Sequence, residues 1–356
     1  MDRSNVSLKV FVPHQNAPPP APRITIRTLA ERCGVSKSTA SFAFRPEEDC
    51  PLAPATRKHI LQTAEQLGYR PDWRGRMLAT RRTGAIGLVY AGESPFLSNY
   101  YGLLVSELMD RLAGHGYDLM HLKSDASGEL LHRKLLARRV DGCFFVAYRA
   151  ELVRLVDPAS TPSVLINGSE VEGVPCVRLA DAEAAGTAVE HLLSRGHRRV
   201  HYFNDPLRAT RHCSVGDRLS GYLAAMSAAG LAGSASSVVA EPAAYAAQLA
   251  GQDPADRPTA VLAYDDTRAI DLVLELSRVG VRVPADLSVV GFNDEVISKR
   301  VIPPLTTMAF PVEAVADAAA AAMLDRIRLP DRSTEPAAPI PLRLVERESV
   351  APPRGG

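Results

Sequence analysis

The sequence predicts a small all-α domain followed by a larger α/β domain, whose two lobes are built on doubly wound parallel sheets. Residues 24 to about 83 show a helical apolar spacing that short turns interrupt. From residue 85 onward, short apolar runs alternate with helical stretches that end in glycine, which is typical of parallel sheets. This alternation gives roughly ten strand–helix units, more than one open sheet usually holds, so two lobes are expected.

The net charge of +1 conceals an asymmetry along the chain. Residues 23–83 contain twelve Lys and Arg against six Asp and Glu, a local charge of +6, whereas residues 84–356 carry a charge of −6. A basic segment joined to a more acidic body indicates a module that meets polyanions, attached to a body that does not.

The composition disfavours a membrane protein, a secreted protein and a protein that carries a metal or cofactor. The chain has no apolar run near the roughly 18 residues that a membrane span needs, and residues 1–22 lack the apolar core of a secretory signal. We interpret this Pro-rich segment as a disordered extension and expect a cytoplasmic protein. The five cysteines lie far apart without zinc spacing, and no phosphate-binding loop or nucleophile motif occurs, so no metal or cofactor is expected.

Two short helices are predicted near the start of the basic segment. The first spans Ile26–Cys33 and ends at Gly34, and Ser36 is placed to cap the second, which runs to about Phe44. Two helices joined by a short turn containing glycine are typical of a helix-turn-helix, although any small helical bundle would give the same pattern.

A third helix and a basic linker complete this segment. The helical pattern lies within residues 55–69, with Gly68 as its stop, and its predicted apolar face contains Ile60, Leu61, Ala64 and Leu67. Residues 72–83 are basic and too short to fold alone, so they form a linker or a helix that folds on binding.

Seven apolar runs predict the strands of the body, at 85–91, 117–122, 142–147, 163–167, 198–204, 260–264 and 287–292. The clearest helices are expected at 100–116, 181–196, 216–230, 267–280 and 312–327.

Polar side chains cluster where the predicted strands end, at Asn167, Asp265, Asp266, Asn293 and Asp294. Because ligands of doubly wound sheets bind outside the carboxyl ends of the strands, these positions indicate a site. Arg218 at a helix start and the pair Tyr100 and Tyr101 add groups suited to a small polyol or sugar. The alternative is that the acids cap helices, and for Asp266 this remains open.

In order along the chain, several motifs resemble the lactose/galactose-repressor family of bacterial transcription regulators. They include ITIRTLAERCGVSKSTAS, LGYRP, RTGAIGLV, EHLLSRGHRRV, RLSGY, VRVPADLSVVGFND and PPLTT. The resemblance covers roughly residues 24–350 and implies a helix-turn-helix domain at 23–71, a hinge helix at 72–83 and a periplasmic-binding-protein-like body at 84–356. It places one lobe at 84–180 and 311–340 and the other at 181–310 and 341–350.

This resemblance also implies the residues that bind DNA. The second helix enters the major groove, with base edges faced by Lys37, Ser38 and Phe42 and phosphates by Thr39 and Ser41. We also expect Thr25 and Ser36 to bind DNA. Phe42 stands where a polar residue is usual, and it either touches a thymine methyl or packs inward. In the hinge, Leu78 wedges into a base step while Arg74 and Arg76 contact phosphates.

The effector site follows from the resemblance in the same way. Its implied residues are Tyr100, Tyr101, Asn167, His212, Arg218, Asp265 and Asn293. The motif GFND replaces the commoner GFDD, and Leu179-Ala180 replaces Asp-Asn, so acidic groups are missing. With Arg208, Arg211 and His212 nearby, a sugar acid or sugar phosphate is one hypothesis for the ligand.

The sequence as a whole predicts a homodimeric repressor without enzymatic activity, controlled by a small sugar or sugar derivative. Two rival functions are a sugar-binding protein of a transport or sensing system and a sugar-metabolising enzyme. The basic segment and the missing signal peptide disfavour the first. Against the second, Asp265 and Asp266 are adjacent and better suited to binding or capping than to catalysis.

Overall fold

The structure, a computed structural model, describes residues 24–45, 50–71, 82–90, 99–124, 127–146, 160–204, 212–329 and 337–354, with the single residues Glu47, Met77 and Val153. The chain divides into two units, Met1–Arg82 and Thr83–Gly356. Among the described residues, no helix combines the length and apolar composition that crossing a membrane requires.

Some of the sequence predictions fall outside these ranges. They concern the extension at 1–22, the hinge residues Arg74, Arg76 and Leu78, and the loop residues Arg208 and Arg211.

The described residues of the first unit form three helices, α1 (Ile26–Cys33), α2 (Lys37–Phe42) and α3 (Pro54–Gln66). The turn between α1 and α2 begins at Gly34, whose φ of 65° is in the left-handed region that glycine adopts at low cost. The helices bury a core of Leu29, Ala43, Ile60 and Ala64. The predicted helix-turn-helix arrangement is therefore present.

One prediction about the third helix is wrong. Leu61 was expected on the apolar face, but it is 37% exposed. The buried face follows the spacing of Ile60, Ala64 and the half-buried Leu67. Leu61 lies one residue, or about 100°, around the helix from Ile60 and therefore points away from the core.

The second unit contains two sheets, and the first is entirely parallel in the order β2-β1-β3-β4-β5. Its strands are β1 (Ala85–Tyr90), β2 (Asp118–His121), β3 (Gly142–Val146), β4 (Ser163–Ile166) and β5 (Cys176–Val177). The helices α4 (Asn99–Ala113) and α5 (Glu129–Leu136) lie between these strands along the chain.

The second sheet has the order β11-β10-β9-β8-β6-β7, and only β11 is antiparallel to its neighbour. Its strands are β6 (Val200–Asn204), β7 (Ser236–Val239), β8 (Ala260–Ala263), β9 (Ser288–Asn293), β10 (Thr306–Ala309) and β11 (Arg343–Val345). Its helices are α6 (Asp181–Ser194), α7 (Cys213–Ala228), α8 (Pro242–Gly251) and α9 (Asp266–Arg278), with short 3-10 turns at Ala232–Ser234 and Val296–Lys299.

Three passages of the chain connect the sheets. The last helix, α10 (Val312–Arg328), packs into the core of the first sheet, although β10 and β11 on either side of it belong to the second. Leu179 and Ile340 pair with each other beside the first and last passages. The chain thus passes between the sheets near residues 180, 310 and 340, and the two-lobed α/β fold class is confirmed.

Candidate functional site

The second helix of the first unit presents a polar face. Ser36 caps it as predicted, because its hydroxyl accepts a hydrogen bond from the Thr39 amide at 3.0 Å. Ala40 faces the core, and Ala43 just beyond the helix does the same. The predicted DNA-facing residues Lys37, Ser38 and Ser41 are exposed and Thr39 is half-buried.

Phe42 is half-buried and lies outside the core cluster of this unit. The guanidinium carbon of Arg45 lies 4.5 Å from the centroid of its ring. Phe42 is therefore on the polar side of α2 rather than part of the core.

Thr25 is exposed and caps α1, because its hydroxyl accepts from the Thr28 amide at 3.3 Å. The structure thus gives Thr25 and Ser36 capping roles in the two helices of the motif, and contact with DNA stays a prediction for both.

In the second unit, three of the predicted effector residues lie at the carboxyl ends of strands from both sheets. Asn167 follows β4, Asp265 follows β8, and Asn293 ends β9. Asn167 and Asn293 have φ values of 49° and 103°, in the left-handed region that asparagine tolerates better than most residues. These turns let the chain change direction beside the site.

Arg218 is bonded to three residues of this cluster. Its Nε donates to Asp181 Oδ1 at 2.6 Å and its Nη1 donates to the Tyr264 carbonyl at 2.6 Å, while Nη2 reaches Asn293 Oδ1 at 3.5 Å. Both charged partners are almost completely buried, with 3% exposure for Arg218 and 2% for Asp181. Burial lowers the pKa of Arg218, but the Asp181 carboxylate more than offsets this, so the guanidinium stays charged.

The flat guanidinium of Arg218 also packs against aromatic rings. Its central carbon lies 4.2 Å from the Phe292 ring centroid and 4.9 Å from that of Tyr264. The two rings fix the orientation of the guanidinium and shield it from water.

His212 links the two lobes. It caps α7, where its Nδ1 accepts from the Ser214 amide at 3.2 Å, so the proton lies on Nε2. This Nε2 is 2.7 Å from the Asn167 carbonyl, to which it donates. Burial lowers the pKa of His212, so the ring is neutral at physiological pH. Tyr264 extends the network, with its hydroxyl 2.9 Å from Ser214 Oγ.

Asp265 and Asp266 have different environments. Asp265 caps α9 by accepting from the Arg268 amide at 2.8 Å, so the capping role left open for Asp266 belongs to Asp265. Asp266 is fully buried and accepts from the Thr307 hydroxyl and from the Glu295 amide. It therefore joins α9 to the segments after β9 and in β10.

Burial of Asp266 leads to a prediction about pH. It raises the pKa of this carboxyl from 3.8 to about 8, so between these values the folded chain retains a proton that the unfolded chain has lost. The contribution of the protonated Asp266 carboxyl to the free energy of unfolding is fully present below about pH 4. It is lost as the pH rises toward about 8. We expect Asp266→Asn to flatten the decline in unfolding free energy between about pH 5 and about pH 8 in urea titrations. Equal pH slopes for wild type and variant would contradict this.

The two tyrosines of α4 are placed differently. Tyr101 is 4% exposed and packs in the core of the first lobe, whereas Tyr100 is half-buried. The Tyr100 ring lies 4.6 Å from that of Phe310, at the second passage between the sheets. An aromatic surface is thus placed where the lobes join.

Sequence reasoning missed four members of the cluster, Asp181, Ser214, Tyr264 and Phe292. An acid in the first turn of a helix is ordinary, so nothing in the sequence marked Asp181 as the partner of Arg218. Among the described residues, no group of three or more His, Cys, Asp or Glu is arranged to hold a metal ion.

Comparison with known proteins agrees with this organisation. Residues 189–350 match the periplasmic binding protein-like domain family. The transcriptional repressor PurR of Proteus mirabilis is 30% identical over 342 residues, which are 92% of this chain and 97% of PurR. The transcriptional regulator GalR of Escherichia coli K12 is 29% identical over 346 residues, covering 92% of this chain and 96% of GalR.

A solved structure of the transcriptional regulator CelR in complex with cellobiose is also similar. Its TM-score is 0.66 at 26% identity, and the match covers 92% of this chain and 100% of that chain. These relatives match this chain almost from end to end. The chain therefore belongs to the lactose/galactose-repressor family of DNA-binding transcription regulators.

Proposed function

We propose that the protein is a homodimeric repressor whose binding to operator DNA is controlled by a neutral sugar held between the lobes of its second unit. The observation that carries this proposal is the cluster around Arg218 and His212. It gathers hydrogen-bonding groups from the strand ends of both lobes, and one of its bonds joins the lobes directly. CelR, which is similar to this chain, has been solved with the disaccharide cellobiose.

The charges of the cluster favour a neutral ligand over a sugar acid or a sugar phosphate. The positive charge of Arg218 is balanced by Asp181, and His212 is neutral. Arg178, at the first passage between the sheets, is paired with Glu170 and Asp217. Among the described residues of the cluster, the Asp265 carboxylate and the amide, carbonyl and hydroxyl groups are then the natural partners of sugar hydroxyls.

The proposal assigns roles to residues in both units. The ligand contacts are Tyr100, Asn167, His212, Arg218, Asp265 and Asn293, and Tyr101 supports Tyr100 from the core. The DNA contacts are Lys37, Ser38, Thr39, Ser41 and Phe42, flanked by Thr25 and Ser36, with Arg74, Arg76 and Leu78 of the hinge. The functional segments are a DNA-reading domain at 23–71, a hinge at 72–83 and a ligand-binding body at 84–356.

Exposed apolar side chains support the homodimer. In the second unit, Ile302 is 91% exposed and Ile297 is 50% exposed. A two-fold pairing with another copy of this chain would remove such surface from water. It would also present two reading domains to a near-palindromic operator, as symmetric DNA recognition requires.

In this proposal the sugar releases the operator. A ligand that binds groups of both lobes stabilises one of their relative arrangements, and the two arrangements differ in affinity for DNA. By linkage, operator DNA then lowers the affinity for sugar by the same factor. The protein acts in the cytoplasm and has no catalytic role, in keeping with relatives that are transcription regulators.

A gel-shift experiment on the DNA upstream of the protein's own gene tests the proposal. We expect a sequence-selective complex whose affinity falls steeply as salt increases, because Lys and Arg displace counterions from phosphates. An unrelated duplex of equal length is the control. Absence of a selective complex would contradict the repressor function.

The same assay tests the effector. Neutral sugars including cellobiose, sugar acids and sugar phosphates are added in turn to the preformed complex. We expect release by a neutral sugar only. Release by a sugar acid or phosphate alone would contradict the neutral ligand inferred from the charge balance. Tighter DNA binding in the presence of sugar would mean that the sugar strengthens operator binding instead of releasing it.

A further inference from the structure

The chain continues as a tight turn beyond α2 and brings Arg45 onto the side of Phe42. The Phe44 amide donates to the Ser41 carbonyl at 3.3 Å, and the Arg45 amide donates to the Phe42 carbonyl at 3.1 Å. Arg45 is therefore one turn after Phe42. Its guanidinium lies over the Phe42 ring at 4.5 Å, and the residue is exposed.

A second arginine anchors the backbone of this turn. Arg57 of α3 donates from Nε to the Ala43 carbonyl at 3.2 Å and from Nη2 to the Arg45 carbonyl at 3.0 Å. The carbonyls at a helix end have no partner within the helix, and a cation is favourable there. Arg57 is thus used internally to hold the turn, while the Arg45 side chain extends outward.

This arrangement restricts the orientation of the Arg45 guanidinium. A guanidinium that stacks on a ring engages its flat face, and its N–H edge can still form hydrogen bonds in its own plane. Within the part of the chain that the structure describes, no acidic side chain is within ion-pair distance of Arg45. A long side chain normally loses rotamer freedom when it binds. Contact with the Phe42 ring already restricts the rotamers of Arg45 in the free protein, so less freedom is lost on binding.

We propose that Arg45, positioned by the Phe42 ring, reads a guanine in each operator half-site through the N–H edge of its guanidinium. This inference rests on the DNA-binding function of the first unit. A planar fork that is fixed in orientation suits the O6 and N7 acceptors of guanine, which arginine bonds in bidentate fashion in the major groove. A phosphate contact needs only charge and would gain little from a fixed plane. Besides the DNA contact proposed for it above, Phe42 therefore positions Arg45.

The experiment is selection of binding sites from a randomised duplex library, carried out with the full-length wild type and variants. The wild type should select a guanine at two symmetric positions. Arg45→Lys keeps the charge but loses the fork, and Phe42→Leu keeps the apolar bulk but loses the ring, so both should lose this preference. Phe42→Tyr retains the ring and should restore it.

A direct measurement accompanies the selection. Replacing the selected guanine pair by adenine should weaken wild-type binding about 10- to 100-fold per half-site, but should leave Arg45→Lys nearly unaffected. Arg32→Lys, the same exchange at an exposed position on α1, is the matched control and should keep the wild-type preference. Circular dichroism melting checks that each variant is folded.

The outcomes separate this inference from the function on which it rests. If Arg45→Lys and Phe42→Leu both select the wild-type sequences and bind all of them more weakly by the same factor, Arg45 contacts phosphate and the inference is overturned. Selection of no sequence by the wild type would overturn the DNA-binding function itself.

Discussion

Replacing Arg218 by methionine is expected to lower the free energy of unfolding by about 3–5 kcal/mol, because it leaves the buried carboxylate of Asp181 without a counter-charge. Asp181 is 2% exposed and Arg218 Nε is its close partner at 2.6 Å. The Tyr264 carbonyl would also lose the donor that now bonds it at 2.6 Å. Urea unfolding followed by circular dichroism measures the change.

Removing the other partner of the buried ion pair should also destabilise the protein. Asp181→Leu leaves the Arg218 cation buried among the rings of Phe292 and Tyr264, so a loss of similar size is expected. Combining Arg218→Met with Asp181→Leu removes both charges and should recover most of the stability. A double variant as unstable as the sum of the single losses would show that the charge pair is not the source of the effect.

Methionine at position 218 also removes the central group of the proposed sugar site. The double variant should therefore be folded and yet fail to respond to any sugar, while a gel shift with operator DNA should still be seen. Loss of the sugar response with retained DNA binding separates ligand binding from folding.

The fold class of the body could be predicted because parallel strands are covered on both faces. The runs SVLI of β4 and AVLA of β8 are buried at every residue, so a continuous apolar pattern was sufficient to place them. By contrast, SSVV of β7 alternates between half-buried and exposed residues at the edge of its sheet. Its pattern resembles a loop, and it was missed.

The site residues show where sequence reasoning stops. Asn167, Asp265 and Asn293 could be predicted because each stands where an apolar run ends, and ligands of such sheets bind at the carboxyl ends of the strands. The partner of Arg218 could not be predicted, because the packing of α6 on α7 brings Asp181 to it from 37 residues away. The start of α7 was likewise misplaced, since histidine is not among the usual capping residues but caps this helix at His212.

The same packing of helices accounts for the second large effect, at Gly221 in α7. A Cβ at this position would lie 2.0 Å from the carbonyl oxygen of Ala182 in α6 and 2.7 Å from its carbonyl carbon. Both are backbone atoms, so no side-chain rotation can relieve the overlap. Gly221→Ala must push α6 away from α7, and we expect a loss of about 3 kcal/mol in unfolding free energy.

Gly216 of the same helix is the matched control. Nothing lies within 4 Å of a Cβ built there, and the residue is exposed. Because alanine is the better helix former, Gly216→Ala should stabilise the protein by up to about 1 kcal/mol. The same added methyl group should therefore change stability in opposite directions at two positions that are five residues apart.

The effect of Gly221→Ala should extend to the ligand site, because Asp181 precedes Ala182 in the first turn of α6. Moving that turn lengthens the 2.6 Å bond from Arg218, which is on α7 one turn before Gly221. We therefore expect Gly221→Ala to weaken sugar binding in calorimetry even at temperatures where the variant is fully folded. Unchanged sugar affinity together with the loss of stability would mean that the strain is absorbed within α7 and that the distance between α6 and α7 does not set the geometry of the site.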